Sequence, residues 1–457
     1  MTLLTLGIIQ TSLILLSLTR KVLCSLFSVL CSLYSTSYTL FPMQQLPKDF
    51  ITLMREHYGE TDADALCDAL LTTEPEVSVR LNRRKISAIC ETHPNPPCEG
   101  GGVHGLPSGA GWEPVPWCPD AYYLAERPPF TFDPLLHAGV YYVQEASSMY
   151  VAKLLKDYGS ETACCALDLC AAPGGKSTLL AGLLPEGSLL VSNEPMPKRA
   201  NVLAENMQKW TRMPEGTYPV ESVVTNNYPA DFGAFSDCFD VVVTDVPCSG
   251  EGMFRKDEQA VAEWSMGNVM MCVERQRGIL QDIWHTLRDG GLLIYSTCTF
   301  NRYEDEENAQ WICSHLGGEL LEERHFFPGR DRGEGFYCAA IRKTIGADGA
   351  DMSFDIDEFS AHKTSVSRKA QRTLRVMPQA FVCEGPQVEL SYDLALSYLR
   401  REAIRVDAPK GPLTLCYKGM PLGPGKGVGN RVNNLYPDAW RIRTSYTKRW
   451  SLGEVEN

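Results

Sequence analysis

The chain has 457 residues, with 43 Lys and Arg against 56 Asp and Glu, a formal net charge of −13. That length allows about two or three domains, and a composition 44% hydrophobic excludes a disordered or collagen-like chain. The excess of acid excludes a protein coated in nucleic acid over its whole surface. The charge is uneven, however: from Ala361 onward sixteen Lys and Arg face eight Asp and Glu, which suits one local basic face for RNA or DNA.

Residues 1–42 are rich in Leu, Ser and Thr, and Arg20 and Lys21 are their only charges. A secretory signal carries its positive charge ahead of the apolar segment, and this stretch does not. The expected reading is a mis-called start, with Met43 as the true first residue; the alternative is a membrane anchor, since each apolar stretch approaches spanning length. From Asp49 to Leu71 the apolar spacing predicts a helix, and Ser78–Asn82 alternates as a strand. Residues 92–119 are rich in Pro and Gly and read as loops. Residues 43–127 are expected to form a small α/β unit.

A helix is expected at 144–155. Strands are then expected at 164–169, 188–193, 221–225, 239–244, 291–296 and 335–341, and helices at 177–184, 197–210, 270–287 and 302–316. Such alternation predicts a parallel sheet with helices on both faces, spanning 128–345. The acidic run Glu304–Glu307 reads as the first turn of a helix, where negative charge suits the dipole, rather than as a metal site. Residues 346–372 are polar and read as a linker. Short β-like runs and Gly/Pro turns fill 373–457.

The most informative stretch is Ala166–Leu180, a strand, a glycine-rich turn and a helix start. In an open α/β sheet such a turn lies at the carboxyl end of a strand, where ligands bind. Three ligands compete for it. A P-loop needs a glycine where Cys170 stands, and the G-x-G-x-x-G dinucleotide fingerprint is missing. A nucleoside without a phosphate chain, such as S-adenosylmethionine, needs a close turn and an acid for its ribose; Glu194 ends the next apolar run, about 20 residues on.

Seventeen cysteines is an odd number, with no C-x-x-C pair and no zinc-finger spacing. A reducing compartment with mostly structural thiols is expected. Two cysteines stand apart. Cys248, in Asp245-Val246-Pro247-Cys248, and Cys298, in Ser296-Thr297-Cys298-Thr299, each follow a buried strand, on the sheet edge that carries the glycine turn. A thiol there suits attack on an electrophilic ring carbon, given a cation or hydrogen bonds to favour the thiolate. Asp245 could hydrogen-bond a heterocycle ring nitrogen, provided that it is protonated or faces a protonated ring.

With these residues in view, the sequence resembles the Nol/Nop/Sun-type RNA cytosine-5 methyltransferases, and within them the bacterial 16S ribosomal RNA enzymes of the RsmF type. The carrying stretches are 144–149, 168–176, 245–256, 295–299 and 333–337, with the tail 425–437 resembling a PUA-like RNA-binding unit. The resemblance implies an α/β, Rossmann-like class I S-adenosylmethionine-dependent methyltransferase between a small N-terminal α/β unit and that tail. It implies Cys298 as the nucleophile toward C6 of a cytosine, Asp245 at N3, and Cys248 assisting loss of the C5 proton and product release. It places Cys170, Ala171, Ala172, Pro173, Gly174, Gly175 and Lys176 along the cofactor and Glu194 at its ribose. Asn226 stands where the family usually has an acid, and an amide oxygen can still accept from the adenine amino group; Arg199 is a further candidate near the cofactor. Arg80, Arg83, Arg84 and Lys85, with the basic tail, would position the RNA.

The expectation is therefore a monomeric cytoplasmic enzyme acting on 16S rRNA or a small ribosomal subunit, with no metal, no DNA and no membrane. Rival readings are a non-catalytic RNA-binding ribosome-assembly factor, whose signature would be a lost thiol, and a nucleotide hydrolase, disfavoured by Cys170.

Overall fold

In the computed structural model, residues 45–92, 111–344, 356–445 and 448–452 are described; the expectations for 1–42, for most of the 92–119 loops and for the first part of the 346–372 linker lie outside them. The described chain opens with helix α1 (Lys48–Thr72), kinked at Gly59, whose φ of 78° is left-handed and suits only glycine. Strand β1 (Val77–Leu81) leads into helix α2 (Arg83–Thr92). With β2 (Glu113–Pro114), β3 (Ala121–Leu124) and β4 (Tyr141–Val143) it forms an antiparallel sheet of order β2-β3-β1-β4. This first sheet therefore runs to Val143, beyond the expected unit end at 127.

Helix α3 (Val151–Tyr158) enters the central layer. There follow β5 (Cys165–Asp168), α4 (Gly175–Leu183), β6 (Leu189–Asn193), α5 (Pro197–Thr211), β7 (Glu221–Thr225) and β8 (Phe239–Asp245). Next come α6 (Met266–Trp284), β9 (Leu287–Thr297), α7 (Glu306–Trp311), β10 (Gly318–Phe326) and β11 (Phe336–Lys343). The sheet order is β10-β11-β9-β8-β5-β6-β7. Strands β5 to β9 are mutually parallel, while β9–β11 and β10–β11 pair antiparallel. The all-parallel expectation is thus corrected at one edge: β10, with mostly charged or half-buried positions, is an edge strand without a continuous apolar run to betray it. The helix expected over 270–287 ends at Trp284, and Leu287 already belongs to β9.

One apolar cluster, including Leu179, Leu203, Val241 and Ile294, covers one face of the sheet; another, including Leu167, Val191, Val242 and Leu293, covers the other. The linker expectation for 346–372 is corrected in its second part, where Ile356–Thr373 form helix α8. Its Val366, Ala370 and the following Leu374 are buried in the second cluster, a helical stripe inside an otherwise polar segment.

The C-terminal strands β12 (Gln387–Glu389), β13 (Ala408–Tyr417), β14 (Met420–Gly429) and β15 (Val432–Asn434) form a sheet in that order, with helix α9 (Tyr392–Leu399) alongside. Val79, Tyr122 and Tyr141 of the first sheet share one core with Leu396 of α9, Leu415 of β13 and Tyr436 beyond β15. Buried Asp133 ties the two, accepting hydrogen bonds from Ser451 Oγ and the Leu452 N–H. The described residues from Pro47 onward accordingly form one unit.

Two residues expected to meet RNA are used inside this unit. Arg80 is 4% exposed, and its guanidinium lies over Trp210 while donating to Gln144 Oε1 and Thr178 Oγ1. Lys85 is fully buried, donating to the carbonyls of Ala138 and Lys209. Both join the first sheet to the central layer. Arg83 remains exposed. Among the described residues no helix is long and apolar enough to cross a membrane.

Candidate active site

The parallel strands β5, β6, β8 and β9 end on one edge, and their loops carry the residues singled out in the sequence. After β5, Ala172–Pro173 is a cis bond and Gly174 takes φ 116°, a conformation that excludes a side chain, before α4 begins at Gly175. The turn is held from outside: Arg199 donates to the Ala172 carbonyl at 2.7 Å and Asn206 to the Pro173 carbonyl at 2.8 Å. Cys170 lies beneath it, its thiol pushed up by burial and by the nearby Asp168. Asp168 itself is fully buried; it accepts from Ser177 Oγ at 2.6 Å, its other oxygen has no partner, and burial raises it to about 7.

Glu194 is 1% exposed at the end of β6. One carboxylate oxygen accepts from the Met196 N–H, and the other lies 3.6 Å from Arg199. Asn226, past β7, spends its amide donors on the carbonyls of Glu194 and Pro195, at 2.8 and 2.9 Å. Only its oxygen is left to accept. Its neighbour Asn193 fastens the same edge, donating to the carbonyls of Leu169 and Asn227.

The lysine of the glycine turn reaches across to the next strand. Lys176 Nζ stands 2.8 Å from Asp245 Oδ2, at the end of β8, and 4.9 Å from the Phe336 ring. Burial disfavours its ammonium, but the charge of Asp245 and the hydrogen bond to it outweigh this and hold Lys176 above the ordinary lysine range. Ser296 Oγ donates to the other oxygen of Asp245 at 2.9 Å. Asp245 is thereby fixed from both sides.

Cys248 and Cys298, fifty residues apart, meet with 3.3 Å between their sulfurs, and the Cys298 N–H points at Cys248 Sγ at 3.4 Å. Both are partly exposed, unlike most of the described thiols, which are free and largely buried. The hydrogen bond to Cys298, burial and the charge of Glu304 hold Cys248 well above the ordinary thiol range. Two sulfurs this close do not both ionise near neutral pH, and Cys248 is the one that keeps its proton. Lys176, within electrostatic reach of Cys298, supplies the nearby cation.

Sequence reasoning missed the groups behind these loops. Glu251 and Glu304 are fully buried, hydrogen-bonded carboxylates, and Glu304 lies ahead of the helix whose first turn it was expected to occupy. His325 is also there: Nε2 faces the Thr299 carbonyl at 3.1 Å and Asp305 at 3.5 Å, while Nδ1 faces Glu306 at 3.3 Å. Asp305, Glu306 and His325 could group around an ion, but the two carboxylates sit at opposite edges of the imidazole, one facing each ring nitrogen. Arg255 and Lys256, which follow the Cys248 loop, both pair with Glu334 beside β11.

A sheet of this order, with a glycine turn after its first parallel strand and polar groups on the adjoining strand ends, defines a Rossmann-like methyltransferase. Family models agree over most of the chain: 16S rRNA methyltransferase RsmB/F at residues 152–342, the N-terminal domain of 16S rRNA methyltransferase RsmF at 46–146, and the methyltransferase RsmF PUA domain at 386–442. The ribosomal RNA small subunit methyltransferase F of Shewanella sp. MR-7 is 31% identical over 489 residues, covering 86% of this chain and 97% of that protein. The Cronobacter sakazakii protein of the same name is 32% identical over 337 residues, an alignment spanning 66% of this chain and 64% of its own length. The chain belongs to the ribosomal RNA small subunit methyltransferase F family. Among solved structures, a methyltransferase homologue from Pyrococcus horikoshii shares the fold with a TM-score of 0.53 at 22% identity, covering 66% of this chain and 96% of that one. NSun6 from the same organism, solved with SFG, gives 0.52 at 16% identity, covering 66% and 100%.

Proposed function

We propose that this protein transfers a methyl group from S-adenosylmethionine to C5 of a cytosine in small-subunit ribosomal RNA, through a covalent bond between Cys298 and C6. The observation that carries this reading is the contact of Cys248 with Cys298 beside the Asp245–Lys176 pair. A turn with a left-handed Gly174, the Glu194 carboxylate at the end of β6 and the accepting oxygen of Asn226 fit a nucleoside with a ribose and an amino-bearing base. When bound, S-adenosylmethionine supplies an electrophilic methyl group.

The chain's own residues do the rest. Cys298 thiolate adds to C6, and the electron pair of the C5–C6 bond makes C5 nucleophilic. As the sulfur adds, N3 takes up a proton that balances the added negative charge, and Asp245, held by Lys176 and Ser296, grips the ring by accepting that N3–H. With Cys298 tied up in the thioether, Cys248 gives its own proton to the solvent and as thiolate takes the C5 proton; the electrons of the C5–H bond then expel the Cys298 thiolate from C6 and restore the aromatic ring. A paired target cytosine must first leave its stack, costing a few kcal/mol. The basic tail and the exposed Arg83 supply phosphate contacts, and an RNA of the small ribosomal subunit places the work in the cytoplasm.

The test is bisulfite sequencing of small-subunit RNA after incubation with the protein and S-adenosylmethionine. One protected cytosine is expected. Cys298→Ala should lower transfer by at least about 10³-fold while cofactor affinity is unchanged. A fully active Cys298→Ala protein, or protection at no cytosine by the wild type, refutes the proposal.

A further inference from the structure

The two thiol loops follow strands β8 and β9, and two backbone bonds join them past the strand ends: the Val246 N–H donates to the Ser296 carbonyl at 3.1 Å and the Gly252 N–H to the Cys298 carbonyl at 2.9 Å. Buried side chains add a second set of ties between these loops, whose sulfurs stand 3.3 Å apart. Glu251 lies three residues beyond Cys248. Its Oε2 accepts from Thr299 Oγ1 at 2.5 Å, from the Phe300 N–H at 2.8 Å and from the Asn301 N–H at 3.0 Å, all on the loop of Cys298. Its Oε1 accepts from Trp264 Nε1 at 2.9 Å and Asn301 Nδ2 at 3.0 Å.

Glu304 makes the reverse crossing. It lies six residues beyond Cys298, and its Oε2 accepts from the Ser249 N–H, next to Cys248, at 3.0 Å, and from Gln276 Nε2 at 2.7 Å. Its Oε1 takes Asn301 Nδ2 at 2.8 Å. The Asn301 amide thus bridges both carboxylates. Burying two carboxylates this near each other is costly; burial and the charge of Glu251 raise Glu304 to about 7. The donors around them, backbone N–H groups among them, meet that cost.

We propose that Glu251 and Glu304 are positioning residues that clasp the two thiol loops across each other and so set the Cys248–Cys298 spacing. The inference rests on the reading of Cys298 as nucleophile, but the spacing itself is open to a test that needs no activity. Glutamine cannot replace Glu251: every neighbour of its two oxygens is a donor, so an amide NH₂ would face donors whichever way it turned.

The experiment compares wild type, Glu251→Gln and Glu304→Gln. First, diamide oxidises paired thiols to a disulfide, being itself reduced to the hydrazine, and peptide mapping follows the 248–298 linkage. Wild type should link these two cysteines readily, and Glu251→Gln at least about tenfold more slowly. Second, Glu251→Gln should lose roughly 100-fold in kcat, the scale of a small misplacement of reacting groups, with KM and cofactor affinity within about threefold of wild type. If Glu251→Gln does not fold, Thr299→Val removes one donor alone and should lower kcat about tenfold. Wild-type linkage rate and kcat in a folded Glu251→Gln or Thr299→Val protein overturn the clasp. If the wild type methylates no cytosine while Glu251→Gln still slows the linkage, the catalytic reading fails and the clasp stands.

Discussion

Lys176→Met isolates the contact between the cofactor turn and the base-gripping acid. Methionine keeps the length and apolar bulk of the lysine stem, so the packing near Phe336 survives, and what goes is the 2.8 Å ion pair with Asp245 and the cation over the ring. Removing one member of a wholly buried pair costs about 3–5 kcal/mol. Here the Asp245 side chain is 37% exposed and keeps the hydrogen bond from Ser296, so water takes up part of the loss. About 2 kcal/mol remains, or roughly 30-fold in kcat/KM. The pH behaviour has a definite sign. Lys176 is held above its ordinary 10.5, so the pair's contribution is complete below that value and is lost only as pH rises beyond it. The share of the Lys176→Met deficit that comes from holding Asp245 should therefore be constant from pH 6 to 9, while the share from the lost cation near Cys298 shrinks as pH rises. Transfer kinetics on small-subunit RNA across that range, with cofactor affinity by calorimetry, give the check. Wild-type kcat/KM in the variant, or a deficit that vanishes at pH 9, would show that Lys176 does not hold Asp245.

Two further outcomes are expected. In Gly252→Ala the new Cβ would lie 2.5 Å from the Gly335 carbonyl oxygen and 3.0 Å from that of Cys298, so the loop must move; thermal melting should change little while transfer falls at least about tenfold, and unchanged transfer would refute the tight fit. Asp168 sits at about 7 in the fold against an ordinary 3.8, so the native state holds a proton the unfolded chain releases, and stability from this group falls as pH rises from about 4 to 7. Asp168→Asn should gain on wild type across that window by on the order of 4 kcal/mol, read from urea unfolding at pH 4 and pH 8; parallel curves would refute the shift.

The strand ends were legible in the sequence because each is announced locally. An apolar run followed by Gly174-Gly175, by Pro247-Cys248 or by Thr297-Cys298 names a buried strand and its loop without reference to the rest of the chain. The clasp was not legible, since Glu251 and Glu304 act on loops about fifty residues away in sequence. Glu304 also stands in an acidic run that helix electrostatics explains on its own terms, and the helix does begin two residues later, at Glu306. Arg80 and Lys85 misled for the opposite reason: a cluster of cations reads as a surface until its carbonyl partners are seen. Helix α8 was hidden by composition, although Val366, Ala370 and Leu374 keep the spacing of a single buried stripe.

The net charge of −13 bears differently on an RNA substrate once burial is known. Among the described residues the buried acids are Asp133, Asp168, Glu194, Asp240, Glu251, Glu304, Asp305 and Glu334, against the buried bases Arg80, Lys85, Lys176 and Lys209. The interior therefore takes more acid than base away from the surface. Burial also raises Asp168 and Glu304 to about 7 and Asp305 upward, so these groups carry less than full charge near neutral pH. The acidity is spent on fixing loops and strand ends by hydrogen bonds. In the C-terminal unit Arg401, Arg441 and Arg443 converge on Asp438 alone, which leaves that face with more positive charge than it neutralises. Burial among the described residues withdraws only four more acids than bases, so the surface stays acidic overall, and a polyanionic substrate is met locally, at the C-terminal face where three arginines share one aspartate.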